Sequence, residues 1–328
     1  MAKLQLSIAM GDYDRTRALL DGHVQIDGVD PVYMTLSPEE TFFRAFRHGE
    51  FDVSELSFSS YLVKLSQGAN EYTAIPVFLS RAFRHTSIYV RTDRIKRPED
   101  LKGKRIGVPE YQLTAIVWAR SVLQDDYGVA PSDVTWVRGG IDEPDRVEKI
   151  GLDLPGITLE NAPPGRTISD MLDDGELDAF IAPRPPGGRA RNNPNIGWLF
   201  PDPTQTAKQY YERTRIFPIM HVVGIRNSLL EQHPWLAAAV LKAFTESKSY
   251  ALKRLSDTSA TKVTLPFVEE QLKAAKALMG DDFWSYGVKP NRPTLEAFLR
   301  HHHGQGLSKR LMTVEELFHP ASFETAVI

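Results

Sequence analysis

Residues 98–119 read PEDLKGKRIGVPEYQLTAIVWA, and the succession of residue types in this stretch decides the architecture. Arg105–Val108 is a short apolar-rich run between Gly103 and Pro109, the pattern of a buried strand bounded by turn residues. Beyond it Leu113, Ile116, Val117, Ala119 and Val122 recur at helical spacing, so Leu113–Tyr127 reads as a helix. A strand, a turn and a returning helix form half of a βαβ unit, which implies a mostly parallel sheet in an α/β protein.

The same alternation extends outward in both directions. Strands are expected at Leu4–Ala9, Val32–Thr35, Val53–Leu56, Ser87–Val90, Thr135–Val137, Ala179–Ala182 and Ile219–Ile225. Helices are expected at Asp14–Asp21, Pro38–His48 and Thr167–Asp174, and the last third is helical over Pro234–Leu255, Phe267–Met279 and Thr294–Gln305. The stretch Pro183–Asn195 is too rich in proline and glycine for an element and is expected over the mouth of a site or at a lobe edge.

A chain of 328 residues exceeds what one core usually serves, so two lobes are expected. Residues 1–90 with 216–328 would form one, and 91–215 the other. A net charge of -3 gives no electrostatic footprint for nucleic acid. No run approaches the ~20 apolar residues of a membrane span. Leu4–Met10 reads as a first strand rather than a signal peptide, so the expected location is cytoplasmic. With no cysteine, disulfides, thiolate metal sites and a cysteine nucleophile are excluded.

The stretch 98–119 resembles the entry to the second lobe of type II periplasmic binding proteins, especially the sulfonate- and thiamine-precursor-binding group. DGELDAFIAP (174–183) is similar to that fold's return strand, and GEFDVSELS (49–57) to the equivalent strand of the first lobe. Over nearly the whole chain, MGDYDRTRALLDGHV (10–24), FDVSELSFSSYLV (51–63), PVFLSRAFRHTSIYVR (76–91) and GVPEYQLTAIVWARSVLQDDYGV (107–129) resemble the 4,5-dihydroxyphthalate decarboxylase family. The resemblance implies a two-lobed type II periplasmic-binding-protein-like fold with a ligand cleft between lobes joined by two crossover strands. It also implies removal of one ring carboxylate to give protocatechuate. The expected partners are a small aromatic dicarboxylate and, compatibly, further copies of the chain in a homo-oligomer, with neither nucleic acid nor membrane.

Ligands of open α/β sheets sit beyond the carboxyl ends of strands, which brings Met10–Arg15, Ser57–Tyr61, Pro109–Thr114 and Ala182–Arg184 to the cleft. Helix N-termini there suit carboxylates, and arginines grip them with a two-pronged fork. The candidates for binding are Arg15, Ser57, Ser59, Arg81, Arg84, Glu110, Tyr111, Gln112 and Arg184. Two segments are expected to cross between lobes, Leu79–Val90 and Ile216–Arg226, and each carries a histidine. His85 and His221 are the candidate acid/base pair, with Asp12 as orienter. Each has a plainer reading: Asp12 as a turn residue, Glu110 as a first-turn acid, His221 as a packed hinge residue. His301, His302 and His303 read as a surface helix end, because adjacent helical residues do not share a face. Arg166 reads as peripheral, and Phe58 and Phe83 as core aromatics rather than stacking platforms.

Each carboxylate of 4,5-dihydroxyphthalate is para to a hydroxyl, so the ring supplies its own electron sink and no metal, pyridoxal or thiamine is chemically required. The rival readings are a non-catalytic binding protein for a small aromatic or heterocyclic anion and a thiamine-pyrimidine synthase-like enzyme. The clustered cysteines expected of the latter are absent.

Overall fold

Periodicity and capping explain most of the observed elements. In the computed structural model, which describes residues 3–147 and 150–323, helix α2 (Pro38–His48) shows the rules plainly. Ser37 caps it by accepting the Glu40 N–H, Pro38 opens it, Arg47 and His48 sit in the last turn, and Gly49 ends it at φ 55°. The left-handed turn at Gly49 favours a residue without a β-carbon.

The first sheet has the order β2 (Val29–Thr35), β1 (Leu4–Met10), β3 (Val53–Ser57), β11 (Ile219–Arg226), β4 (Tyr72–Arg81). Strands β1, β2 and β3 are parallel, and β11 runs antiparallel to both neighbours. The second sheet has the order β10 (Ile196–Trp198), β5 (Ile88–Arg91), β9 (Ala179–Ile181), β6 (Arg105–Val108), β7 (Thr135–Arg138), β8 (Thr158–Asn161). Helices α1 (Asp14–Leu20), α3 (Phe58–Ser66), α4 (Thr114–Tyr127), α5 (Ile168–Asp173) and α6 (Pro203–Thr214) lie between strands in the chain. After β11 come α7 (Asn227–Gln232), α8 (Leu236–Leu255), α9 (Val268–Met279) and α10 (Arg292–Gly304).

This is the expected two-lobed α/β arrangement, with one difference. The crossings are not strands: β4 ends at Arg81, β11 begins at Ile219, and His85–Ser87 is a short 3-10 helix. They are tied at Ala82, whose N–H donates to the Pro218 carbonyl. The strand expected at Ser87–Val90 is β5, and it joins the second sheet, where Ile88 pairs with Ile181.

The rear of the cleft is closed by packing between lobes. Phe298 of α10 stacks on Phe58 of α3 and lies 5.0 Å from Trp118 of α4. The Trp118 indole donates to the Ile219 carbonyl, and Ser59 meets His302 at 2.9 Å. One apolar core therefore runs from Ile8 in the first sheet to Ile106 in the second. His301 and His302 are part of this interior, against the surface reading: both are buried, and burial pushes His302 down to about 3. The faces separate as expected, but the intervening turn folds inward because Ser59 and Ser308 offer hydrogen bonds to His302.

Candidate active site

A cavity of about 300 Å³ lies between the sheets. Three helix starts reach it: Pro38 and Glu39 of α2, Ser57 at the head of α3, and Leu113, Thr114 and Ala115 at α4. The Ser57 and Thr114 hydroxyls bond each other at 3.1 Å and tie two of these starts together. Free N–H groups at such termini favour anions. Phe42, Ile141 and Met220 supply apolar walls.

His221 faces this cavity from β11. It pairs with Ser57 across the ladder, while Glu55 lies two residues back on the same face. The pairing of β11 with β4 is irregular on both sides of His221, the kind of bulge that re-aims a side chain. His221 Nδ1 meets Glu55 Oε1 at 2.6 Å, and Phe42 packs edge-on against the ring. Among the described residues Nε2 has no hydrogen-bond partner, and with 16% of its side chain exposed His221 reaches the cavity.

Glu55 is 1% exposed and would be intolerable as a lone charge. Burial alone raises its pKa, but hydrogen bonds and charge from His221, the Gly11 N–H at 2.8 Å and the Tyr13 hydroxyl at 3.0 Å hold it below the usual carboxylate range. Tyr13 is raised in turn by burial and by the adjacent Glu55 charge. Gly11 makes this approach possible, because a β-carbon there would lie 2.3 Å from the Tyr13 ring. The unit is a carboxylate-oriented histidine with one ring nitrogen turned to the ligand space.

Three guanidinium groups line the cavity: Arg84, Arg146 and Arg184. Arg84 has no carboxylate partner among the described residues. Its Nε lies 3.2 Å from Met220 Sδ, and burial lowers it to about 10, so it stays cationic at neutral pH. Arg146 is anchored through Nε and Nη2 to Glu110 Oε1 at 3.0 and 2.7 Å. Arg184 bonds Glu39 Oε1 at 2.6 Å, from one lobe to the other.

Of the residues singled out from the sequence, Ser57, Arg84, Arg184 and His221 line the cavity, and the others lie elsewhere. His85 is 1% exposed between Phe200 and Tyr210, with neither ring nitrogen hydrogen-bonded among the described residues. Burial, with the nearby Arg213 charge, lowers it to about 4. His85 lies beyond the end of β4, where the chain turns into a short 3-10 helix. Asp12 is half exposed and pairs with Arg17 at 2.7 Å. Arg15 donates to the Leu79 carbonyl and stacks on Tyr13 and Trp284. Arg81 clamps the hinge through Phe217, Ser285 and Asn291. Ser59 serves His302. Tyr111 is buried against Arg120 and Trp136, and Gln112 donates to Glu110. Glu110 is fully buried and holds an arginine instead of facing a ligand. Arg166 pairs with Asp174 and Glu176, as a peripheral residue should.

Sequence reading missed Glu55, Glu39 and Arg146. Glu55 did leave a signal, an acid in the middle of the buried strand VSELS. Arg146 left none, since its loop has no periodicity.

Residues 69–147 match the family model described as NMT1/THI5 like. The chain is similar to the alkanesulfonate-binding protein SsuA of Xanthomonas axonopodis pv. citri bound to MOPS, with TM-score 0.53 and 12% identity over 97% of this chain and 99% of that one. It is also similar to a putative periplasmic sulfonate-binding protein SsuA of Methylobacillus flagellatus, with TM-score 0.54 and 14% identity over 98% of this chain and 93% of that one. At such identities the likeness shows the fold alone. Among curated proteins it is 58% identical over 213 residues to a 4,5-dihydroxyphthalate decarboxylase of Pseudomonas putida, covering 64% of this chain and 83% of the relative. It is 60% identical over 327 residues to a 4,5-dihydroxyphthalate decarboxylase of Comamonas testosteroni, covering 99% of both. The chain therefore belongs to the 4,5-dihydroxyphthalate decarboxylase family, built on the two-lobed periplasmic-binding-protein fold.

Proposed function

We propose that this chain decarboxylates 4,5-dihydroxyphthalate to protocatechuate and carbon dioxide in the cleft, with His221 as the proton-transfer group. The observation that carries the reading is the Glu55–His221 pair opening on a cavity lined by three guanidinium groups. Arg84 and Arg146 neutralise the ring carboxylates, one of which stays behind in the product. Ser57, Thr114 and the helix starts around them supply further donors. We assign no step to His85 or Asp12, neither of which lines the cavity.

Loss of a ring hydroxyl proton to solvent places negative charge on the para carbon, which bears a carboxylate. Imidazolium Nε2 of His221 delivers a proton to that carbon, giving a dienone. The carbon–carboxylate bond then breaks, its electron pair restores the aromatic ring and the phenolate oxygen, and carbon dioxide leaves. The hydroxyl recovers its proton and His221 is reloaded from solvent, so each turnover consumes one proton. Glu55 stabilises the imidazolium and fixes which nitrogen faces the ring. Water exclusion by the apolar walls strengthens these electrostatic terms.

We divide the lobes at the two crossings, near residues 82–87 and 215–218, and place the protein in the cytoplasm. Among the described residues no helix is long and apolar enough to cross a membrane. The decisive experiment mixes purified protein with 4,5-dihydroxyphthalate and follows protocatechuate and carbon dioxide. Catalytic turnover supports the reading. Thermal stabilisation by the ligand without product would make the chain a binding protein instead.

A further inference from the structure

Glu39 is the only acidic side chain among the described residues that line the cavity, since Glu55 and Glu110 lie behind it. It stands in the first turn of α2, which packs on β1 and β3 of the first sheet. Arg184 follows β9 of the second sheet, so their 2.6 Å ion pair spans the cleft. Glu39 Oε1 holds Arg184, while Oε2 is shielded from solvent without any hydrogen-bond partner among the described residues. A carboxylate oxygen in that condition is an acceptor short of a donor.

A ring bearing two carboxylates and two hydroxyls brings both kinds of group. Carboxylates are acceptors and are repelled by Glu39, whereas hydroxyls are donors. Arg84 has no carboxylate partner among the described residues and lies against Met220, the residue beside His221, so the anionic end of the ring belongs there. The hydroxyl end then lies at the Glu39–Arg184 pair. We propose that Glu39 is the specificity determinant for the ring hydroxyls, accepting a hydrogen bond from one while Arg184 faces the oxygen that becomes the phenolate. This rests on the decarboxylase reading for its substrate, and it fixes the direction in which the ring enters.

A site that hydrogen-bonds a hydroxyl discriminates strongly against the analogue lacking it, because its polar group is then left unpaired. The test measures dissociation constants of 4,5-dihydroxyphthalate and of phthalate, which lacks both hydroxyls, for the wild-type protein, Glu39→Gln and Glu39→Ala. Arg184→Lys serves as a second probe of the pair. Glu39 is partly exposed in a first turn, and thermal unfolding checks that the variants fold. The expected result is a wild-type preference for the dihydroxy ligand that falls at least ~10-fold in Glu39→Ala, with phthalate affinity unchanged or improved. Equal weakening of both ligands, an unchanged preference, or no preference in the wild-type protein would overturn the proposal. Turnover of 4,5-dihydroxyphthalate is followed in parallel. A wild-type protein that makes no product sinks the decarboxylase reading, and a preference that it shows and Glu39→Ala loses sustains Glu39 as the hydroxyl acceptor.

Discussion

Replacing Glu55 by glutamine tests the proton-transfer unit with almost no change in volume. The carboxylate accepts from three donors: the Gly11 N–H, the Tyr13 hydroxyl and His221 Nδ1. An amide has one acceptor oxygen and an NH₂ that only donates. If the oxygen serves the Gly11 N–H, which cannot change roles, the NH₂ faces Tyr13 and His221. His221 then meets it only as a neutral ring with its proton on Nε2, and the imidazolium loses its counter-charge. A hydrogen bond to a charged partner is worth about 1.5–3 kcal/mol. At about 1.36 kcal/mol per decade of rate, turnover should fall roughly 10- to 150-fold. The assay is protocatechuate formation across pH, beside a denaturant curve for stability. Glu55→Gln turning over within threefold of wild type, with the same pH profile, refutes the dyad.

Three other outcomes follow from the same geometry. His85→Phe should leave turnover intact and remove a pH-dependent cost: the unfolded imidazole takes up a proton near pH 6.5 and the folded one only near 4, so stability falls as pH drops through that window, by up to roughly 3 kcal/mol. Urea melts at pH 4.5 and 7.5 read this, and a variant that keeps the full wild-type acid sensitivity would contradict it. Arg84→Met should raise KM for the dicarboxylate at least ~10-fold while leaving stability equal or higher, because a poorly paired buried cation costs energy in the empty protein; unchanged KM would remove Arg84 from the carboxylate site. Gly11→Ala should slow turnover, since the new methyl meets the Tyr13 ring at 2.3 Å and drives the phenol off Glu55, and adding Tyr13→Phe to it should cost little more; strictly additive losses in kinetic assays would show that the two act separately.

Elements with strong local signals were legible in the sequence. Pro38–His48 emerged at its observed bounds, and Arg105–Val108 likewise, because cap, proline and period agree there. Strand β4 was not legible: Pro76 lies within it and reads as a breaker. The structure tolerates it because the β11–β4 ladder is irregular there and the Pro76 carbonyl accepts the Gly287 N–H. Strands β8 and β10 lie at the two edges of the second sheet with no fully buried residue, so TLEN and IGW carry no apolar run to register. Helix α3 begins at Phe58 directly after β3, since Ser57 ends a strand and heads a helix at once.

The sequence by itself determined the alternation of strands and helices, the family, and the helix starts that converge on the ligand space, because periodicity, caps and turn residues act over a few positions. It also brought two histidines to the crossings. Only the tertiary structure separates their surroundings. His85 closes into an aromatic cage because β4 ends at Arg81 and the chain turns. His221 faces the cleft because its irregular pairing with β4 and its register on β3 set it beside Glu55. Register joins residues more than a hundred and sixty positions apart, and no local pattern encodes it.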